Sequence, residues 1–444
     1  MKKLPKLAWI LLFHNCTRLI DSLKKLITSK DFLKRHRQSS KDFTRQRKLP
    51  FTTLLFFLIN LIKGSYQDEL DHFFKAVNRF DVAKRIVSKA ALTKARMKLR
   101  YEAFIELNSE LVDHFYKNFR PLKWHEFNLW AVDVTTAQLP RFETMEDHFG
   151  AWHPSNGGTC PKARVSQMFD PLNKITVDAI ISPKNIGERQ LAATHFLNLL
   201  EDDLVLLDRG YPAYWLFNLI LSLGANFCAR THRQRWKIMQ QFLDSGEKER
   251  IILLRKSQHS DKHCNEMGLD TKPLILRLIR VELDTGETEI LITSLLDKKL
   301  YPHDLFAELY HLRWPIEEDY KTMKQWVEIE NFSGKSVLSI YQDFHAKVFS
   351  KNLTSVLAFP TRKAIDCKSR KTRYKYKMNF AQTLSTVKDV IPLFFIRSVD
   401  QVLLLISDLH RIIVKTVEPV RPWRNYPRNF NKKKGVNFCY KSVR

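Results

Sequence analysis

The sequence is poor in the features that characterise secreted, zinc-binding and disordered proteins. Glycine is scarce, with 12 residues among 444, and no tract is simple enough in composition to predict disorder. The six cysteines are scattered, without a CxxC pair or a zinc-type Cys/His spacing. Disulfides are therefore not expected, and the cysteine usage predicts a reduced, cytoplasmic location.

Long hydrophobic runs are absent as well. Met1–Phe13 carries lysines and an apolar run of about seven residues, as a signal peptide does, but no small-residue cleavage site follows it. We therefore expect this segment to form an amphipathic first helix. The strongly apolar run Leu49–Ile62 has 14 residues, fewer than the roughly 18 to 20 that a membrane-spanning helix needs. No membrane association is predicted.

Positive charge, in contrast, is abundant and lies at the two ends of the chain. Lys and Arg number 74 against 47 Asp and Glu, which gives a net charge of +27. Residues 1–50 hold 14 basic and 3 acidic side chains, and residues 361–444 hold 20 and 5. The 310 residues between them are nearly neutral. This distribution predicts a polyanionic partner whose phosphates are bound by the ends of the chain in a salt-sensitive way.

The first 120 or so residues show helical periodicity. Within them, Asp81–Leu99 predicts a short helix, a cap at Ser88 and a second, basic helix. The basic side chains of that second helix are Lys89, Lys94, Arg96 and Lys98. Such a helix after a tight turn can enter a DNA groove, or it can be an ordinary helix with a solvated basic face. Both interpretations stay open.

From Phe127 onward, the pattern changes from helical to β-rich. Short runs of β-branched and aromatic residues, separated by turn signals, predict strands at Phe127–Val134, Val165–Asp170 and Ile175–Ile181. The elements predicted after them are a helix at Glu188–Leu200, a buried strand at Asp203–Leu207 and a helix at Pro212–Leu223. A meander followed by alternating helices and strands indicates a mixed α/β sheet.

A second β-rich stretch looks inserted into this core, because helical character returns after it at Pro302. The sequence therefore predicts four regions. They are a helical region at 1–122, an α/β core at 123–231 and 291–360, a β-rich insertion at 232–290, and a basic, mainly helical region at 361–444.

Two aspartates occupy equivalent places in this pattern. Asp133 ends the apolar run LWAVD, and Asp208 ends the run LVLLD. A carboxylate at the end of a buried strand emerges at the edge of an open α/β sheet, where ligands commonly bind. Two such carboxylates on neighbouring strands provide the oxygen ligands that Mg²⁺ prefers. Either Asp can also simply begin a turn.

A third acid lies in the segment YHLRWPIEEDYKTMK. Tyr310, Arg313, Glu317 and Lys324 fall on one face of a continuous helix, at about 100° per residue. Pro315 either kinks that helix or opens a new one. In the second case, only Glu317 and Lys324 share a face. Cations and a phenol beside a carboxylate suit a phosphodiester with a metal ion, although an exposed, salt-bridged helix has the same composition.

The order Asp, Asp and then Y-x2-R-x3-E-x6-K resembles the DDE transposases of bacterial insertion sequences, family four. The local strings that agree are DVTT from Asp133, DRGY from Asp208, LITSL from Leu291 and RWPIE from Arg313. The resemblance covers about residues 40–360. It implies an α/β fold with an RNase H-like mixed-sheet catalytic core, a β-rich insertion between the second Asp and the Glu, a helical N-terminal DNA-binding region, and a C-terminal region for DNA grip or dimerisation.

The resemblance also implies the chemistry of the site. Asp133, Asp208 and Glu317 are expected to be catalytic and to hold two Mg²⁺ ions, for which Mn²⁺ substitutes. The residues expected to contact DNA are Tyr310, Arg313, Trp314 and Lys324, with the Trp314 ring available for stacking on an exposed base. Glu318 is a rival to Glu317, but only Glu317 fits the spacing.

The function so implied is cleavage of DNA at insertion-sequence ends followed by strand transfer to target DNA. The implied partners are double-stranded DNA, as terminal inverted repeats and as target, and a second copy of the chain in a synaptic homodimer. The implied location is the bacterial nucleoid. Two alternatives stay open, which are an inactive transposase-derived DNA-binding protein and an RNase H-like nuclease without strand transfer.

Overall fold

The computed structural model describes residues 6–152, 159–283 and 286–421. The first five residues, the end of the predicted basic region at 422–444 and Cys439 therefore lie outside the described residues. The chain divides into two compact units, which are described separately. The first comprises Met1–Pro121, Ala137–Ala163 and Lys321–Arg444, and the second comprises Leu122–Thr136 and Arg164–Tyr320.

The first unit is mainly helical, as predicted for the N-terminal and C-terminal regions. Its helices are α1 (Lys6–Thr28), α2 (Lys30–His36), α3 (Phe51–Leu58), α4 (Tyr66–Asn78), α5 (Lys89–Arg96), α6 (Glu102–Asn118), α7 (Glu143–Phe149), α14 (Val337–Ala358), α15 (Arg362–Ser369), α16 (Phe380–Val387), α17 (Ile391–Ile396) and α18 (Val399–Lys415), with a 3-10 turn at Phe359–Thr361. Its short strands are β2 (Ala151–Trp152), β10 (Lys375–Lys377) and β11 (Glu418–Val420). The helix expected at the start of the chain is confirmed by α1.

Helix α14 is the centre of the first unit. It is buried along nearly its whole length, and α6, α16 and α18 pack against it. A helix that is buried on all sides is mostly apolar, but its polar side chains need partners within the protein. In α14, Gln342 and Asp343 find such a partner in the guanidinium of Arg96.

The segment Asp81–Leu99 differs in part from the prediction. Ser88 does cap a helix, since its side chain accepts a hydrogen bond from the Ala91 N–H at the start of α5. The short helix expected before it is wrong, because residues 81–87 are not helical. Arg96 is also not part of a solvated basic face, since it is buried and bound to Asp343 at 2.9 Å. Lys94 is exposed.

The second unit is built on a mixed sheet. Its strands are β4 (Ile175–Ser182), β5 (Asp203–Leu207), β6 (Asn226–Thr231), β7 (Glu249–Leu254), β8 (Leu274–Glu282) and β9 (Thr288–Thr293). Its helices are α8 (Glu188–Phe196), α9 (Tyr214–Ser222), α10 (Lys237–Asp244), α11 (Gln258–Glu266) and α12 (Leu305–His311). The elements that continue from one unit into the other are β1 (Asn128–Gln138), β3 (Cys160–Asp170) and α13 (Pro315–Gln325).

In the described residues this sheet has nine strands, in the order β2-β3-β1-β5-β6-β9-β8-β7, with β4 paired to β3. Strands β1, β5 and β6 run parallel to one another, and β3 and β4 form an antiparallel pair. Every residue of β5 is buried, as expected for a parallel strand that is covered on both faces. The arrangement confirms the predicted mixed α/β class with an RNase H-like core.

The β-rich stretch that looked inserted is continuous with the core sheet. Strand β9 pairs with β6, β8 pairs with β9, and β7 pairs with β8, all in antiparallel fashion. These strands therefore extend the sheet beyond its parallel part instead of forming a sheet of their own. In the part of the chain that the structure describes, no helix is both long and apolar enough to cross a bilayer.

Candidate active site

The two predicted aspartates lie side by side on neighbouring parallel strands, Asp133 in the middle of β1 and Asp208 directly after the end of β5. Strands β1 and β5 are paired in a register that places Val132 opposite Leu207. Asp133 and Asp208 are the next residues on the two strands. Both are half-buried, and each directly follows a run of buried residues, Leu129–Val132 in β1 and Asp203–Leu207 in β5. The structure thus brings the two carboxylates together.

Asp133 accepts hydrogen bonds from a residue of its own strand and from a residue of α13. Its carboxylate oxygen Oδ1 accepts a hydrogen bond of 2.8 Å from the Val134 N–H. The buried Tyr320 hydroxyl donates a hydrogen bond of 2.6 Å to the backbone carbonyl of Asp133. The other carboxylate oxygen, Oδ2, has no hydrogen-bond partner among the described residues.

Pro315 begins a new helix, so the four signature residues do not share one continuous face. Helix α12 ends at His311, and α13 begins at Pro315. Proline suits this first helical position, because its nitrogen has no hydrogen to leave unpaired. Only Glu317 and Lys324 lie on the same helix, about 20° apart around its axis.

Tyr310 and Arg313 nevertheless reach the predicted acids. Tyr310 packs with the apolar side chains of α12 against the sheet, and its hydroxyl lies 3.3 Å from Oδ1 of Asp208. Arg313, in the turn between the helices, donates a hydrogen bond of 2.7 Å to Oε1 of Glu317. The Nε of Arg313 is buried and has no hydrogen-bond partner among the described residues.

The acids interact electrostatically. The pKa of Asp133 is raised to about 6, first by burial and further by the negative charges of Asp208 and Glu317, against the opposing effects of the Val134 N–H and the Arg313 guanidinium. Glu317 is thus close enough for its negative charge to act on Asp133.

The surroundings of Asp208 have the opposite net effect on its pKa. Burial favours its protonated form, but the Arg209 N–H and the guanidiniums of Arg230 and Arg313 outweigh burial and lower its pKa below the ordinary value. Asp208 is thus the more acidic member of the pair, while Asp133 has a pKa of about 6. Neighbouring carboxylates whose pKa values are pushed apart are frequent at functional sites.

The remaining predicted DNA contacts are Trp314 and Lys324. Trp314 exposes 40% of its surface, as a ring that stacks on a base requires. Lys324 is half-buried in the first unit, with its Nζ 3.9 Å from a carboxylate oxygen of Glu330. The roles of both residues stay predictions.

The sequence interpretation missed three side chains beside the acids. Arg230 binds Asp208, the hydroxyl of Tyr320 binds Asp133, and the hydroxyl of Tyr211 is buried without a hydrogen-bond partner among the described residues. The negative charges of Asp133 and Asp208 raise the pKa of Tyr211, although burial raises it most. A visible signal existed for Arg230, the one charged residue in the strand NFCART, and for Tyr211, which ends the string DRGY.

The carboxylates of Asp133 and Asp208 are suited to bind divalent cations as a pair. No three acidic, imidazole or thiol side chains converge on a single point within the described residues. Asp133 and Asp208, however, each have one oxygen that is engaged and one that lacks a described partner. Carboxylate oxygens are the ligands that Mg²⁺ and Mn²⁺ prefer.

Comparison with known proteins agrees with the family resemblance seen in the sequence. Residues 124–353, slightly more than half of the chain, match the family model described as Transposase DDE domain. The transposase InsG for insertion sequence element IS4 of Escherichia coli (strain K12) is 22% identical over 298 residues, which are 66% of this chain and 65% of that protein. The match thus spans slightly less than two thirds of the relative's length.

A similar solved structure is the cryo-EM structure of the piggyBac transposase synaptic complex with hairpin DNA. The similarity covers 91% of this chain and 85% of that chain, with a TM-score of 0.44 and 10% sequence identity.

Proposed function

Because this chain belongs to the family of transposases with a DDE domain, we propose that it cleaves DNA at the ends of an insertion sequence and joins those ends to target DNA. The observation that carries the proposal is the parallel pairing of β1 and β5, in which Asp133 and Asp208 follow the paired residues Val132 and Leu207, with Glu317 close enough to raise the pKa of Asp133. Paired carboxylates of this kind suit phosphoryl transfer assisted by two metal ions.

Asp133, Asp208 and Glu317 would hold two Mg²⁺ ions, or Mn²⁺ in their place. When bound there, these ions supply Lewis-acid polarisation of a phosphodiester oxygen and acidify a water molecule. The buried strands β1 and β5 fix the two aspartates before substrate arrives. That rigidity favours the geometry of in-line attack.

The four predicted contact residues, Tyr310, Arg313, Trp314 and Lys324, would hold the DNA. Arg313 has an unused buried donor, its Nε, and a planar guanidinium that suits a phosphate. The Tyr310 hydroxyl and the Lys324 ammonium provide further donors. The exposed Trp314 ring is available for a base that has left the helical stack. The same groups would serve water attack and the later attack by a DNA 3′-hydroxyl, because both steps are transfers at phosphorus.

The proposal extends to partners and location. The partners would be double-stranded DNA, as terminal inverted repeats and as target, and a second copy of the chain that brings two ends together. The reaction would take place on DNA in the cytoplasm. The basic charge at both ends of the chain supports a grip on phosphates that does not depend on sequence.

The experiment that tests this function uses DNA carrying the native flanks of the gene, incubated with the protein and Mg²⁺ or Mn²⁺. Cuts are mapped to single nucleotides for the wild type, Glu317→Ala and, as a matched control, Glu318→Ala. We expect paired cuts at inverted ends that are lost with Glu317→Ala and kept with Glu318→Ala. Binding to these ends without cutting would instead indicate an inactive DNA-binding relative.

Strand transfer is tested separately with a pre-cleaved end and a plasmid target. We expect joined products with the wild type and none with Glu317→Ala. Cleavage without joining would instead identify a nuclease of the same fold.

A further inference from the structure

Arg230 lies directly beside Asp208 in the sheet. Strands β5 and β6 are parallel and paired so that Leu207 is opposite Ala229. The next residues on the two strands are Asp208 and Arg230. The two side chains therefore meet at the same edge of the sheet, where β5 ends and β6 continues.

Glu289 approaches Arg230 from the other side. Strand β9 is antiparallel to β6, and Leu291 is opposite Arg230. Glu289 lies two residues before Leu291 and thus on the same face of the sheet. An Asp, an Arg and a Glu thereby form a row across three adjacent strands.

The guanidinium of Arg230 binds both acids at once. Its Nη2 and Nε lie 2.7 Å and 3.1 Å from Oδ1 of Asp208, and its Nη1 binds Oε1 of Glu289. The side chains of Asp208, Arg230 and Glu289 are 30%, 25% and 18% exposed. This partial burial limits competition from water, so the three groups are held more firmly than a surface ion pair.

Within the described residues, every hydrogen bond to the carboxylate of Asp208 goes to the same oxygen. Besides Arg230, the Arg209 N–H donates to Oδ1 at 2.6 Å, and the Tyr310 hydroxyl lies 3.3 Å from it. Oδ2 has no hydrogen-bond partner among the described residues. The carboxylate is thus fixed in one orientation, with a single oxygen left to bind a ligand.

We propose that Arg230, held by Glu289, is a positioning residue that orients Asp208 so that its Oδ2 serves as a single-oxygen ligand of a divalent cation. The inference rests on the proposed function and adds a residue that the Asp, Asp and Tyr-Arg-Glu-Lys pattern does not contain. Groups that fix metal ligands through hydrogen bonds commonly matter nearly as much as the ligands.

Glu289 explains how an arginine can hold a metal ligand without cancelling its charge. Arg230 alone would neutralise Asp208 and weaken its attraction for a cation. With Glu289 included, the row carries a net charge of −1, so Asp208 keeps its affinity for a positive ion. Lysine cannot replace this arrangement fully, because it lacks the planar fork that contacts two carboxylates in fixed directions.

The test measures Mn²⁺ binding directly, by calorimetry or by electron paramagnetic resonance of free Mn²⁺, together with the Mn²⁺ dependence of DNA cleavage. The variants are Arg230→Gln, Arg230→Lys and Glu289→Gln, with Asp208→Asn as the reference for loss of the ligand. Arg250→Gln is the matched control, because Arg250 holds Glu247 with the same two nitrogens on another strand of the unit. Circular dichroism establishes that each variant is folded.

We expect Arg230→Gln to weaken Mn²⁺ binding roughly 10- to 100-fold and to raise the Mn²⁺ concentration for half-maximal cleavage more than it lowers the maximal rate. Arg230→Lys should recover part of the affinity, and Glu289→Gln should weaken binding less. Arg250→Gln should bind as the wild type does. If Arg230→Gln does not fold, the Arg230→Lys and Glu289→Gln variants decide by the same readout.

Two results would overturn the inference. Unchanged or tighter Mn²⁺ binding by Arg230→Gln, with binding lost in Asp208→Asn, would show that Arg230 does not position the ligand, while the proposed function would stand. Wild-type protein whose Mn²⁺ binding is the same as that of Asp208→Asn would overturn both the inference and the metal-dependent function.

Discussion

The carboxylate of Asp133 is placed where its surroundings oppose its ionisation. Its pKa is raised from 3.8 to about 6 by burial and by the neighbouring acids. Between these values the folded protein binds more protons than the unfolded chain, so the free energy of unfolding falls as the pH rises through this window. Above about pH 6 the destabilisation is complete, and a bound cation would relieve it.

Asp133→Asn should therefore stabilise the metal-free protein at pH 8 by about 1 to 3 kcal/mol, because it removes a buried charge that its neighbours repel. The gain should shrink as the pH falls below about 6. Urea unfolding in EDTA at pH 8 and pH 4.5 measures this difference, with the exposed Glu318→Gln as control. Equal or lower stability of Asp133→Asn at pH 8 would contradict the expectation.

At the scale of single residues, sequence spacing predicted the three acids but not the side chains that contact them. Asp133 and Asp208 share a local pattern, and Glu317 has a fixed spacing to its neighbours. Arg230 acts through contacts between strands whose pairing the sequence does not specify. Such long-range contacts become visible only with the register of β5, β6 and β9.

At the scale of elements, the sequence predicted strands better than their partners. Strand β5 has the predicted bounds, Asp203–Leu207, because an all-apolar run between turns has few alternatives. The strands of the predicted insertion were also expected, but their pairing with the core sheet was not. Alternation of apolar residues identifies a strand and one buried face, and it does not specify the neighbouring strand.

Helix α5 shows how a charge pattern can mislead. The same helix face would bind DNA or pack inside the protein depending on what covers it, and α14 covers Arg96. Pro315 illustrates a different limit, since a kink and a new helix are equally compatible with its chemistry. The structure shows a new helix.

Arg96→Ala should destabilise the protein by roughly 3 to 5 kcal/mol, because it leaves Asp343 buried without its counter-charge. Lys94→Ala, on the exposed side of the same helix, should change stability by less than about 0.5 kcal/mol. Urea unfolding of both variants measures the contrast. Similar stabilities of the two variants would show that the buried ion pair does not anchor α5.

At the scale of the whole molecule, charge and chemistry occupy different parts of the sequence. The transposase match covers residues 124–353, which lie within the nearly neutral middle of the chain. The strongly basic segments, 1–50 and 361–444, lie outside this match. DNA binding by the basic segments and catalysis by the matched region are thus expected to depend differently on salt concentration.

DNA affinity should accordingly fall steeply with ionic strength. If the chain neutralises six to ten phosphates, the dissociation constant should rise roughly 10³- to 10⁵-fold between about 50 and 200 mM salt. Fluorescence anisotropy with labelled DNA in EDTA measures this without cleavage. A rise of less than tenfold would show that the basic ends do not contact phosphates.

The central claim is that the paired aspartates hold the metal ions that assist DNA cleavage. Its most direct test compares Mg²⁺ with Mn²⁺ for Asp208→Cys, because a thiolate binds Mg²⁺ poorly and accepts a softer ion. The account predicts that Asp208→Cys loses cleavage in Mg²⁺ and regains at least about tenfold in Mn²⁺, whereas Glu318→Cys cleaves as the wild type does in both. Wild-type cleavage by Asp208→Cys in Mg²⁺ would contradict the account.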